Sequence, residues 1–305
     1  MTQLPGRPTR DAYGEAILEL GRELPQMYVV DCDIGKSCKT QEFIAAYPNQ
    51  HINVGIAEQN ACGVAAGLAT CGKIPFVTTY AVFGSMRMVE QIRQEVCYPN
   101  LKVKIACSHG GLTPANDGAS HQGIEDMGIL RSIPNMTVIA PGDFYSAKTL
   151  VKAAAYYEGP VYLRFTRDAV PHIHKENDSF TIGKAYIMSE GTDITIISNG
   201  DVLSLCVEAA EQLKASGISV RLLDMHTIKP LDIPAVQQAI LETRGIITVE
   251  DHNILNGLGS AVSEIAAEYA KTPVRRIGIQ DNFGESAPYE RLLEKNHITI
   301  DHIVA

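Results

Sequence analysis

No two cysteines in this sequence are spaced CxxC, although seven are present, at Cys32, Cys38, Cys62, Cys71, Cys97, Cys107 and Cys206. An odd number at irregular spacing argues against a disulfide framework or a zinc site and points to a reducing, cytoplasmic compartment. Positive charge is also scarce. A formal net charge of −9 argues against a nucleic-acid coat or a binder of anionic membranes, while leaving room for a local cationic pocket. No run of about 18 apolar residues offers a membrane span. The opening segment MTQLPGRPTRDAYG has no apolar core for a signal peptide. Short-period repeats and low-complexity tracts are missing too. What is present is ordinary for a globular protein, with 45% hydrophobic and 20% charged residues. The 305 residues suit two domains, each with its own core.

Strand-like apolar runs alternate with segments of helical period. Strands are expected at 27–31, 74–78, 102–107, 136–140 and 161–165, and helices at 58–71, 83–95, 124–132 and 143–156. After a more polar stretch the alternation restarts, with strands at 193–198, 219–223, 245–249 and 273–279 and helices at 202–213 and 258–269. Alternation of this kind predicts α/β architecture: two tandem domains, each a largely parallel sheet flanked by helices. The expected division is a first domain over 1–170, a connector over 171–190 and a second domain over 191–305.

Ligands of open parallel sheets bind beyond the carboxyl ends of the strands. The polar or glycine-rich segments there are 31–40, 55–60, 78–85, 108–122 and 165–168. In GIAEQN (55–60), Glu58 falls in the first turn of a helix. Its plainest reading is a carboxylate favoured by the helix dipole. The segment SHGGLTPANDGASHQ (108–122) holds His109, Asp117 and His121 with little apolar content. An aperiodic loop of that length is uncommon unless functional. Two histidines flanking an aspartate suggest acid–base work or polar substrate binding. A metal is an alternative by residue type, but no HxxxH-like spacing occurs.

GIAEQN, then PFVTTYAVF (75–83), SHGG…NDGASHQG (108–123) and YLRFTRD (162–168) resemble the pyrimidine-binding domain of transketolases. The second domain, with NGLGSA at 256–261, resembles their C-terminal domain. The resemblance implies thiamine diphosphate as cofactor. Glu58 matches the glutamate that hydrogen-bonds N1′ of the aminopyrimidine, so that the 4′-amino group becomes a base beside the thiazolium carbon. Tyr80 and Phe83 match aromatic residues lining the pyrimidine pocket, although aromatics after a strand commonly just pack inward. Met86 stands where a third aromatic is expected, and Asp33 matches a residue near the thiazolium. Asp117 and His121 match contacts to the sugar hydroxyls, with His121 also expected in catalysis. Arg10, Ser37, His109 and Arg167 match the family's phosphate site, a convergent donor set that a phosphate dianion needs. Arg164, close by on the same strand, is a further cation expected to face the same side as Arg167.

One element of a full-length transketolase is not found: the GDG motif followed some thirty residues later by asparagine, which holds Mg2+ and the diphosphate. The nearest string, Gly200–Asp201–Val202, lacks the second glycine. The resemblance therefore implies a separate partner, an N-terminal diphosphate-binding subunit that carries the Mg2+ ligands, with two copies of each chain and no metal ligand here. The activity implied is transfer of a two-carbon ketol unit from a ketose phosphate to an aldose phosphate. Alternatives are the beta subunit of a 2-oxoacid dehydrogenase first component, a fragment of a deoxyxylulose-phosphate synthase, and a non-catalytic module of the same fold.

Overall fold

A computed structural model describes residues 6–269 and 272–305. Among the described residues, twelve strands form two sheets. The first is built from β1 (Met27–Asp31), β2 (His51–Asn53), β3 (Ile74–Tyr80), β4 (Lys104–Ser108), β5 (Thr137–Ile139) and β6 (Val161–Arg164), in the order β5-β6-β4-β3-β1-β2 and all parallel. The second takes β7 (Tyr186–Ser189), β8 (Ile194–Ser198), β9 (Val220–Asp224), β11 (Ile246–Asn253) and β12 (Val274–Ile279), in the order β12-β11-β8-β9-β7, with β7 alone antiparallel. The remaining strand, β10 (Thr227–Lys229), follows β9 in the chain but joins the first sheet, antiparallel to β5.

Buried strands of a parallel sheet need apolar side chains on both faces. Alternation along β1 and β3 supplies them. Val29 and Phe76 join Tyr13, Ile17, Leu20, Leu150 and Leu163 on one face. Val30 and Val77 join Ala61, Met88, Ile92 and Ile105 on the other. Helix Thr9–Glu23 covers the first face beside Phe144–Tyr156, which opens on a capping box between Asp143 and Ser146. Helix Glu58–Thr70 covers the second.

Several elements differ from expectation. The helix expected over 83–95 is two π-helical stretches, Phe83–Arg87 and Ile92–Cys97, around one short α-turn. Gly84 lets the first π-turn press on the sheet, since a Cβ there would lie 2.4 Å from Cys107 Sγ. Helices Thr9–Glu23, Ile233–Glu242, Tyr289–Lys295 and Ile300–Val304 add to those expected. Strand β7 falls within the stretch 171–190. No helix among the described residues is long and apolar enough to cross a membrane.

Candidate active site

The register of the first sheet decides what meets at its carboxyl edge. Asp31 pairs with Thr78, Tyr80 with Ser108, and Cys107 with Arg164. The segments that follow β1, β3, β4 and β6 therefore leave the sheet side by side.

Tyr80 sits at the centre. Its hydroxyl donates to Ser37 Oγ at 2.8 Å. Its ring centroid is 3.9 Å from that of His109, 5.8 Å from Phe83 and 5.9 Å from His121. Phe83 in turn lies 5.9 Å from His121, edge-on. Glu58 starts its helix and is only 2% exposed. A lone buried carboxylate would be costly. Here Arg87 compensates it, with Nη1 2.7 Å from Glu58 Oε2 and the guanidinium 4.4 Å above the Phe83 ring. Met86, beside it, is 38% exposed. Asp33, in left-handed backbone at φ 65°, accepts a bond from Asn53 at the far side of the cluster.

Beyond Tyr80 the surface turns cationic. Arg10 Nη1 donates to Ser37 O at 3.0 Å, and Arg167 Nη1 to Pro114 O at 3.0 Å. Arg167 Nε is 3.6 Å from the half-exposed Asp117. Arg10, Lys36, Ser37, Lys39 and Arg167 line an open cleft of about 680 Å³, which the carboxylates of Asp11, Glu15 and Glu42 share. His109 is buried, and burial together with Arg10, Arg167 and His121 holds its imidazole down to about 3, hence neutral. Besides its ring contacts, the His121 imidazole has one hydrogen-bond partner among the described residues, Ser120 Oγ, 3.0 Å from Nδ1.

The loop carrying His109, Asp117 and His121 is braced by the second sheet. Leu112 N donates to Asp251 Oδ2 at 2.8 Å, and Gln122 Nε2 to Glu285 O at 3.0 Å. Gly111, at φ 59°, allows this approach, because a Cβ there would fall 2.1 Å from Asp251 Oδ2. Arg164 belongs to this brace and not to the cleft, contrary to expectation. Its Nε donates to Asp126 at 3.0 Å, and its Nη2 to Asp251 O at 2.7 Å and Gly123 O at 3.2 Å. Arg164 is the last residue of its strand and Arg167 lies beyond it, so the alternation of strand faces does not carry from one to the other.

Nine of the eleven expected residues thus adjoin through short links, from Arg10 and Arg167 across Tyr80 to Glu58, whereas no hydrogen bond or ring contact among the described residues ties Met86 or Asp33 to them. Arg87 was not expected. It stands four residues after Phe83, a spacing at which helical side chains meet, so the pairing was open to inspection. Ser108, 2.7 Å from His109 Nδ1, was likewise unremarked.

Residues 6–172 match the model of the transketolase pyrimidine-binding domain, and residues 183–303 that of the transketolase C-terminal domain. The chain belongs to the transketolase family. Among its relatives, a split-gene transketolase solved as an inactive beta4 tetramer superposes with a TM-score of 0.89 at 43% identity, covering 98% of this chain and 96% of that one. The 6-deoxy-6-sulfo-D-fructose transketolase subunit SqwH of Clostridium sp. (strain MSTE9) is 38% identical over 295 residues, 97% of this chain and 92% of the relative. Transketolase from Campylobacter jejuni shares the fold at a TM-score of 0.84 and 21% identity. This chain covers 46% of its length.

Proposed function

We propose that this chain is the pyrimidine-holding subunit of a two-chain, thiamine-diphosphate-dependent transketolase that moves a two-carbon ketol unit from a ketose phosphate to an aldose phosphate. The observation that carries this is the state of Glu58. A buried carboxylate already accepts from a flat, N–H-bearing group stacked on Phe83, namely the Arg87 guanidinium. The aminopyrimidine is also flat and donor-bearing, so the residues present fit it, once Arg87 yields the place. When bound, the cofactor supplies the nucleophilic carbon that attacks the ketose carbonyl.

This chain's residues do the rest. Glu58 holds a proton toward the ring nitrogen, and Tyr80 and Phe83 wall the slot, with Met86 at its lip and Asp33 toward the thiazolium. His121 and Asp117 meet the sugar hydroxyls near the reacting carbon. Arg10, Arg167, Ser37 and His109 receive the phosphate, with charge-assisted bonds from the two guanidiniums. The Mg2+ and diphosphate ligands fall to the partner subunit, two copies of each chain making two sites. The family-model matches support a functional division near the expected 171–190 connector. All seven cysteines are free thiols, which supports a reducing, cytoplasmic setting.

Mixing decides the assembly. Calorimetry with thiamine diphosphate and Mg2+ should show weak binding to this chain alone and tight binding once the partner is added, with ketol transfer appearing only in the mixture. Full turnover by this chain alone would sink the two-chain reading. Within the mixture, Glu58→Gln should lower the rate by roughly 10²–10⁴ with unchanged circular dichroism. Near-normal activity in that variant would remove Glu58 from the cofactor site.

A further inference from the structure

We propose that Ser108, backed by the buried Cys38 thiol, is a positioning residue that holds His109 in one neutral tautomer, with Nδ1 bare and the hydrogen on Nε2. The proposal rests on the reading above that His109 faces the substrate phosphate.

Ser108 is the last residue of β4. Its Oγ lies 2.7 Å from His109 Nδ1 and 3.3 Å from Cys38 Sγ, and all three residues are buried. Three hydrogens must be placed among these groups: one on the thiol, one on the hydroxyl and one on the imidazole. The thiol has two acceptors in reach, Ser108 Oγ and the Thr79 carbonyl oxygen at 3.7 Å. The hydroxyl also has two, His109 Nδ1 and Cys38 Sγ. Thioether and thiol sulfur are weak acceptors, whereas a bare imidazole nitrogen is a strong one. The hydroxyl therefore donates to Nδ1, and the thiol to Ser108 Oγ or to Thr79 O. The opposite placement, with the imidazole hydrogen on Nδ1, would leave the hydroxyl facing sulfur alone. Hydrogens on both nitrogens would put a third positive charge beside Arg10 and Arg167 in a buried site, which burial and like charge both oppose.

The ring has little other freedom. His109 sits in left-handed backbone at φ 64°, with the Tyr80 ring against its face. Its Nε2 makes no hydrogen bond among the described residues. The tautomer is thus what decides whether His109 offers an N–H or a lone pair to an incoming oxygen. An N–H is attractive to a phosphate oxygen and a lone pair is not. Ser108 selects the first and adds a directional, uncharged donor between two cations.

Two measurements test this. Long-range proton–nitrogen spectra of the chain carrying ¹⁵N-histidine, with His109 identified by the signals lost in His109→Gln, should show the Nε2–H pattern. Ser108→Ala should convert it to a tautomer mixture, and Ser108→Thr, which keeps the hydroxyl, should restore it. In the enzyme assembled with its partner, Ser108→Ala should raise KM for a ketose phosphate about three- to tenfold, with kcat within about twofold and Ser108→Thr near wild type. An Nδ1–H pattern in the wild type overturns the proposal. So does a pattern unmoved by Ser108→Ala. Mixed tautomers with an unmoved KM overturn the positioning role through a different arm: the Ser108 hydrogen bond stands, and the placement of His109 at the substrate falls.

Discussion

Arg164 ends strand β6 and Arg167 lies three residues beyond it, yet they meet opposite surroundings. Arg164 is 5% exposed. It donates to Asp126 and to two backbone carbonyls, has Asp201 at 4.0 Å and lies beneath the loop tied to Asp251. Burial alone would favour its neutral form, but the Asp126, Asp251 and Asp201 carboxylates outweigh this and keep it charged. In exchange, burial and the neighbouring Asp201 push the Asp251 carboxyl well above the usual range. Tyr289 closes the cluster by donating to Asp201. Arg167 is about one-third exposed in its side chain and is bonded to a single carbonyl, with Asp117 and Asp168 at 3.6 and 3.9 Å. Arg10, across the cleft, is similar, bonded to one carbonyl. A cation saturated by fixed acids holds the fold together. One that keeps donors toward an open cleft is free to serve the substrate-phosphate site proposed above.

The sharpest way to break this comparison is to remove each arginine in turn. Arg164→Met leaves buried carboxylates without their cation and should cost roughly 3–5 kcal/mol of stability. A loss of less than about 1 kcal/mol, read from urea unfolding, would show the cluster to be carried by other contacts. For Arg167→Ala or Arg10→Ala the midpoint should stay in place. KM for a phosphorylated ketose in the assembled enzyme should instead rise about ten- to a hundredfold, the worth of one charge-assisted bond. A ketose without phosphate should suffer much less, and equal losses for both substrates would return these arginines to a structural role.

The smallest effect concerns pH. His109 stays neutral in the fold down to about 3, whereas an unfolded histidine takes a proton near 6.5. Between those values the unfolded chain binds more protons, so this group's contribution to stability is present above about 6.5 and drains away as pH falls. His109→Gln should therefore lose less stability than the wild type on going from pH 7 to 4.5, as read by denaturant midpoints. An identical acid loss in both would show that His109 is not held neutral.

Much of this arrangement was open to reading before any coordinates. The long parallel strands and the helix at Glu58–Thr70 declare themselves through apolar period, and the polar segments after β1, β3, β4 and β6 must converge if the sheet is parallel. Arg164 departs from expectation because its strand ends there, before Arg167, and because its acids come from the distant Asp126, Asp201 and Asp251. Helix Thr9–Glu23 was legible in principle, since Tyr13, Ala16, Ile17 and Leu20 follow helical spacing and are all buried. β7 and β10 were not, being strands of four and three residues whose pairing is set by distant partners. The π-turn at Phe83–Arg87 depends on Gly84 meeting Cys107, a contact between segments that no local pattern encodes.

Strand β10 has a consequence for how such a chain can be cut or inherited. It leaves the second half of the polypeptide to lie along β5, and Lys229 on it donates to the carbonyls of Arg131 and Ile133 at 2.9 and 2.5 Å. A fragment severed between the two family-model matches would expose β5 as a raw edge, with unpaired backbone groups ready to recruit a strand from another molecule. The tidy border drawn by sequence similarity is therefore not a seam in the material. A cut there parts β10 from β5, so the two sheets are laced into one unit.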